Sequence, residues 1–477
     1  MNVSELQLAL PEIFIATMAC VVLVADLFVD EQRRGLTHTL ALLTLAFATI
    51  LTLRMIVPEG QVQLAFEGTF VRDRFGDVLK LFGYLVLIGV FVYAKHYLKG
   101  FGLYKGEFYS LSLFALLGVM IMVSAASMLT VYLGLELLAL ASYALVALDR
   151  DSATGSEAGM KFFILGSLAS GILLFGMSLI YGATGTLALD EIAQISRVAP
   201  SDNLLFAFGL AFIVVGIAFK LGAVPFHMWL PDVYHGAPAA VTLLISSLPK
   251  LGYLALAIRL LQDGLPGMSE EWQSMLFVLA ALSMLVGNVV AIAQTNIKRM
   301  LAYSTIGHMG FVLLGLMAAT PDGYAAAMFY TITYSIMSAA AFAVVILMSI
   351  NGVEAENLDD YKGMAKRNPW FALVMLMVMF SLAGIPVFVG FFAKWQVIAA
   401  AIGAGFTGLA VLAVVASVIG AFYYLRVVKL MYFDEPETEE SVQVPVDFRA
   451  ILSINGVAMI ALGVFSGGLI SLCASAF

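Results

Sequence analysis

The feature that most constrains this chain is the recurrence of apolar stretches of 18 or more residues. They lie near 10–29, 37–57, 76–94, 108–126, 128–148, 158–182, 203–232, 239–261, 272–293, 300–318, 324–350, 370–403, 407–432 and 450–472, fourteen in all. A helix of about 20 such residues crosses the hydrocarbon core of a bilayer. The chain is 62% hydrophobic and only 12% charged, whereas soluble domains carry roughly 25% charged residues. A soluble core of this size would lack its charged shell. Period-two alternation is absent and the runs are too long for strands, which sets aside a β-barrel. The expected fold class is an all-α polytopic membrane protein of about 14 transmembrane helices.

Lysine and arginine give the topology. The odd-numbered loops and their margins hold fourteen of them, from Arg33 and Arg34 to Lys429 and Arg449, whereas the even-numbered loops hold five: Arg54, Arg72, Arg74, Arg197 and Arg259. The positive-inside bias puts the odd loops in the cytoplasm and both termini outside. The opening MNVSELQLALPE has acids at Glu5 and Glu12 and no basic region, so the first apolar run reads as a retained helix. No basic run long enough to track phosphates is present, which argues against nucleic acid as a partner. Cys20 and Cys473 are too few for a Cys₄ metal site and no disulfide is expected between them. The largest polar stretches, 351–369 and 434–448, are short, and GAGFTG at 403–408 joins two apolar spans rather than a strand to a helix. A cofactor bound by this chain is therefore not expected.

The seventh and twelfth spans are too long for one straight crossing. The former contains Pro225, the latter Gly384 and Pro386 in SLAGIPVFVGFFAKWQV. Both read as helices interrupted in mid-membrane, a pattern that marks the transport site of inverted-repeat proteins. They stand five spans apart, and a unit with an odd number of spans reverses its orientation when repeated. The expected division is 1–107 for the first three helices, 108–261 for a first repeat (helices 4–8), 272–432 for a second inverted repeat (helices 9–13), and 450–477 for the last helix.

Ionisable residues inside the spans are few: Glu136, Lys220, Lys250 and Lys394. Each costs on the order of 2.5–3.5 kcal/mol to insert. Snorkelling does not serve Glu136 or Lys250, which lie near span centres, and one acid cannot pair three lysines. A proton or cation path explains them better than ion-pair glue. Burial disfavours a charged lysine, so such a group can release its proton, which arginine does not. A carboxylate about 4 Å away contributes about 4 kcal/mol at an effective dielectric of 20, and half that at about 8 Å. A small helix movement bringing Glu136 toward or away from Lys220 would load or unload it. His227, Asp232 and His235 follow the break at Pro225; their spacing matches no zinc pattern, and proton uptake suits them better than metal binding. His308 extends a water wire or bonds a neighbouring helix. Lys80 and Asp77, near the outer end of the third span, read as a simple surface pair, and Pro249 as a kink in the eighth helix.

These residues carry a resemblance. KLGAVPFHMWLPDVYHGAP at 220–238, KFFILGSLASGILLFG at 161–176 and NIKRMLAYSTIGHMGFVLLG at 296–315 resemble the antiporter-like membrane subunits of proton-translocating NADH–quinone oxidoreductase (respiratory complex I). That family is shared with multisubunit Na⁺/H⁺ antiporters, and YHGAP and SLASGILLFG favour its subunit-N branch. The family pattern A-P-x-P-V departs here at Ala240. The resemblance implies proton translocation from cytoplasm to outside through Glu136, Lys220, Lys250 and Lys394, with His227, Asp232 and His308 as secondary candidates. It further implies a bacterial inner membrane and partners among the membrane and peripheral subunits of complex I, neighbouring antiporter-like subunits included. NADH, FMN, iron–sulfur clusters and quinone would be held by those partners. Two alternatives stand: a subunit of a Na⁺/H⁺ antiporter, and a structural spacer without its own path.

Overall fold

The computed structural model describes residues 3–30, 33–198, 203–349, 352–436 and 442–477. After a short α1 (Val3–Leu8), the first three spans are α2 (Leu10–Asp26), α3 (Gly35–Arg54) and α4 (Arg74–Gly100). The next three are α5 (Gly106–Val123), α6 (Met128–Val146) and α7 (Ala153–Thr184), and a short α8 (Leu189–Val198) follows. The seventh span is split into α9 (Leu204–Leu221) and α10 (Trp229–Gly236). Then come α11 (Ala239–Ala257), α12 (Ser269–Ile292), α13 (Ile297–Met317), α14 (Pro321–Met348) and a single turn, α15 (Met364–Arg367). The twelfth span is split into α16 (Pro369–Ala383) and α17 (Val389–Gly403), and α18 (Thr407–Phe433), α19 (Val446–Val464) and α20 (Ser466–Ala474) close the chain. Each of the fourteen expected spans is thus helical, and the two expected to break do so.

Polar caps set many of the helix starts. Asp73, Ser127, Ser152, Asn203, Asn296 and Thr320 each accept a hydrogen bond from an amide in the first turn of the helix that follows, satisfying donors that have no intrahelical partner. The eighth helix runs on through Pro249 and then loosens into a π-helical stretch over Ile258–Gly264. Besides the short α1, α8 and α15, sequence periodicity missed an antiparallel hairpin of β1 (Val62–Ala65) and β2 (Phe70–Asp73) in the second loop. Each strand has only four residues, and Phe66, Glu67 and Gly68 turn the chain at positive φ.

Packing sorts the helices into a centre and a rim. α11, α13 and α14 are buried almost throughout, whereas α3, α7 and α18 leave about half or more of their length open to the surroundings. In lipid such open apolar faces are the natural exterior. Ion pairs gather at opposite ends of the helices. On α4, Asp77 and Lys80 pair at the even-loop end, and Lys95 and His96 meet Asp447 at the odd-loop end.

The expectation for Lys80 and Asp77 is corrected here. Both are fully buried rather than at the surface, and Lys80 pairs most closely with Glu12 on α2, at 2.6 Å. Arg72 of the hairpin joins Asp77 at 3.3 Å. Two helices and a hairpin therefore converge on one buried ionic knot, which sequence spacing could not reveal.

Candidate functional site

The two breaks are built alike. α9 ends at Gly222 with φ +80°, and the Ala223 amide donates back to Ala218 at 2.8 Å. α16 ends at Gly384 with φ +86°, and the Ile385 amide donates back to Phe380 at 3.0 Å. This left-handed closure stops a helix cleanly and leaves its last carbonyls unclaimed by the ladder. The positive φ favours glycine at both ends, and the space beside each is occupied by a side chain. A Cβ at Gly222 would lie 2.5 Å from Leu230 Cδ1, and one at Gly384 would lie 2.9 Å from Lys394 Cδ.

The lysines use what the breaks expose. Lys394 Nζ donates to the carbonyl of Ala383, the last residue of α16, at 2.9 Å. Lys250 Nζ donates to the carbonyl of Leu221, the last residue of α9, at 3.3 Å. Each sits at the negative pole of a half-helix, where a cation is stabilised without a counter-ion. Aromatic faces add to this: Lys250 Nζ lies 5.9 Å from the Trp229 ring centre and 5.8 Å from that of Tyr253, and Lys394 Nζ lies 5.2 Å from that of Phe311. Trp229 also joins the halves of the seventh span, its indole donating to the Phe219 carbonyl at 2.9 Å.

Lys220 is buried in the last turn of α9 and donates to Ser170 of α7 at 3.0 Å. A direct pair with Glu136 is not formed; among the described residues no ion pair involves Lys220, Lys250 or Lys394. Glu136 stands half-buried on α6, with Oε1 buried and without a hydrogen-bond partner. Its neighbours Leu133 and Leu140 are exposed, so this part of α6 borders the outside of the bundle.

His308 is fully engaged. Its Nδ1 meets the Tyr330 hydroxyl at 2.7 Å and its Nε2 the Tyr424 hydroxyl at 2.9 Å. Tyr424 continues to Ser304 at 2.5 Å. Phe311, under Lys394, stacks on Tyr330 with ring centres 5.8 Å apart. The histidine thus belongs to a polar chain through α13, α14 and α18 that ends at Tyr330, with the Phe311 ring between it and Lys394. Sequence reading found His308 but not Ser170, Tyr330 or Tyr424. Hydroxyl residues are common in apolar helices, and nothing in their spacing sets these three apart.

The residues after the first break go to separate partners. Asp232 is paired with Lys161 at 2.8 Å and with Arg299 at 2.9 Å. His235 meets Glu356 at 3.2 Å. His227 is half-buried, its ring 6.4 Å from that of Tyr303. Among the described residues the three do not converge on a common point. Beyond them, Lys298 pairs with Glu354 at 2.6 Å and with Glu356 at 3.2 Å. Burial works to raise the Glu356 carboxyl, but the His235 hydrogen bond and the Lys298 charge prevail and hold it at about 2. Lys298 had counted in the sequence only as a topological charge.

Known proteins place this arrangement. Residues 125–420 match the family described as NADH:quinone oxidoreductase/Mrp antiporter, transmembrane region. The chain is 54% identical over 468 residues to NADH-quinone oxidoreductase subunit N of Thioalkalivibrio sulfidiphilus, covering 98% of this chain and 97% of that one. Identity to the subunit N of Acidithiobacillus ferrooxidans is also 54%, over 466 residues, covering 98% of this chain and 96% of the relative. Among solved structures, a chain of respiratory complex I from Thermus thermophilus superposes with a TM-score of 0.83 at 32% identity, over 98% of this chain and all (100%) of that one. A chain of the Mrp complex from Dietzia shares the fold, with a TM-score of 0.86 at 24% identity over 100% of this chain and 97% of that one. With its two broken helices, its buried lysines and near-complete coverage by these relatives, the chain belongs to the antiporter-like membrane-subunit family typified by subunit N of NADH–quinone oxidoreductase.

Proposed function

We propose that this chain is a proton-translocating subunit of a bacterial NADH–quinone oxidoreductase. It moves protons from the cytoplasm to the outside through Glu136, Lys220, Lys250 and Lys394, with 108–261 and 272–432 as two oppositely oriented repeats. Electron transfer from NADH to quinone takes place in partner subunits, which hold the flavin, the iron–sulfur clusters and the quinone. The chain lies in the inner membrane with the odd loops in the cytoplasm and both termini outside.

One observation carries the reading: Lys250 and Lys394 are buried, each on the carbonyl end of a broken helix and neither in an ion pair among the described residues. A lysine kept only for structure would be matched by a carboxylate, because a buried unpaired charge is costly. A lysine held by dipoles and ring faces can be neutral or charged without tearing an ion pair apart. That is what a proton carrier needs. The half-buried carboxylate of Glu136 supplies the one negative group of the series and biases Lys220 through space rather than by contact.

The test is replacement of Lys220 or Glu136 by alanine in the assembled complex. Expected are intact assembly and a loss of both ΔpH formation and coupled quinone reduction in inverted membrane vesicles. Pumping at the unmutated level in both variants would refute the mechanism. Isolation in mild detergent distinguishes the partners: flavin and iron–sulfur subunits are expected to accompany the chain, whereas small membrane partners alone would indicate an antiporter.

A further inference from the structure

Val387, in the linker between α16 and α17, has φ +82°. That is the left-handed region, where a β-branched residue is an outlier. Its own contacts do not account for this. The side chain is 55% exposed, and among the described residues its amide and carbonyl take no backbone hydrogen bond. What meets the carbonyl is α19. A Cβ on Gly463 would overlap the Val387 carbonyl oxygen and would lie 3.0 Å from the carbonyl carbon. Only glycine lets the helix come so close. A residue in a sparsely populated backbone region persists when its surroundings over-determine it, and Gly463 is the part of the surroundings that touches this one.

The linker in turn sets the berth of Lys394. It follows directly on Ala383, whose carbonyl accepts from Lys394 Nζ at 2.9 Å. The halves on either side of it are locked together. The Gly390 amide donates to Ser381 Oγ at 3.1 Å, and a Cβ on Gly390 would overlap the Ser381 carbonyl oxygen. With so little slack, a displacement of Val387 is passed on to Ala383. A second close approach seats α19 on α16: a Cβ on Gly456, about two turns from Gly463, would lie 2.9 Å from the Val374 methyl carbons. There the neighbour is a side-chain end, not backbone. The first break is gripped from the corresponding place. Its Val224 amide donates to Ser283 of α12 at 2.9 Å, and α12 is the ninth span, two beyond the broken seventh. α19 belongs to the fourteenth, two beyond the broken twelfth. One grip is a hydrogen bond and the other a close approach, but each takes hold of linker backbone.

We infer that Gly463 is a positioning residue for Lys394. Through its close approach to the Val387 carbonyl, α19 holds the linker of the twelfth span in the conformation that presents the Ala383 oxygen to the lysine. The inference rests on the reading of Lys394 as a proton carrier. The last span, which lies outside both repeats, is then a working part of the second site, as α12 is of the first.

The test uses the whole complex in inverted vesicles, with NADH oxidation and ΔpH formation measured together. Gly463→Ala is expected to lose pumping per NADH oxidised. Adding Val387→Gly is expected to restore it, because glycine takes other backbone conformations freely and lets the carbonyl yield to the new methyl group. Gly456→Ala, which crowds only side-chain ends, is expected to lower the thermal midpoint and leave the pumping ratio unchanged; loss of the ratio there too would reduce the effect to packing along α19 and overturn the positioning role. A defect of Gly463→Ala, in pumping or in assembly, that Val387→Gly does not correct would overturn it as well. Unmutated pumping by Gly463→Ala, alongside lost pumping in Lys394→Ala, would do the same while leaving the lysine reading intact. Unmutated pumping by Lys394→Ala itself would overturn both.

Discussion

Lys250 and Lys394 are ionisable groups whose companions, among the described residues, are dipoles and not counter-ions. Each bonds the terminal carbonyl of a half-helix and faces an aromatic ring. Lysine and arginine are not interchangeable in such a place, because arginine keeps its proton. Lys394→Arg is therefore expected to preserve assembly and the positive charge yet abolish pumping, as read from ΔpH formation in vesicles; pumping at the unmutated rate would show that proton release at this position is not required. At this scale the charged members of the site were legible, because a lysine in a long apolar run is conspicuous and expensive. Their acceptors were not. Leu221 and Ala383 contribute backbone oxygen, which any residue could supply, and Ser170 is one hydroxyl among many.

The interrupted helices were the most legible elements. Proline inside an over-long apolar run, joined by Gly384 in the twelfth span, pointed to a break in each, and both breaks fall where Gly222 and Gly384 take positive φ. The knot around Lys80 was misread for the opposite reason. Lys80 and Asp77 are close in sequence, whereas the nearer partner, Glu12, comes from another helix. Removing one member of a buried ion network costs about 3–5 kcal/mol, because the others are left uncompensated. Lys80→Met is expected to lower the thermal midpoint of the detergent-solubilised protein. The double variant Lys80→Met, Glu12→Gln is expected to recover part of the loss. Equal midpoints for Lys80→Met and the unmutated protein would mean that the knot contributes nothing.

At the scale of the molecule, the succession of long apolar helices followed from hydropathy alone. Which helices occupy the centre did not, because α11 and α7 are comparably apolar and only packing separates them. The strap carrying Glu354 and Glu356 was equally hidden: a short polar loop in sequence, it binds α4, α11 and α13 across the two halves. Its stability should depend on pH. Glu356 falls from 4.5 to about 2 in the folded chain, so its contribution is fully present above about 4.5 and is lost as the pH drops toward 2. An acid titration of tertiary structure should therefore show a component in that window that disappears in Glu356→Gln; identical acid profiles for the two proteins would rule out this assignment.

The bond from Lys250 to Leu221 has a consequence for any motion of the seventh span. In an unbroken helix the Leu221 oxygen would be claimed by the amide four residues on. That residue is Pro225, which has no amide hydrogen to offer. Were the span to straighten, its own ladder still could not compete for this oxygen. The lysine's berth has no backbone rival.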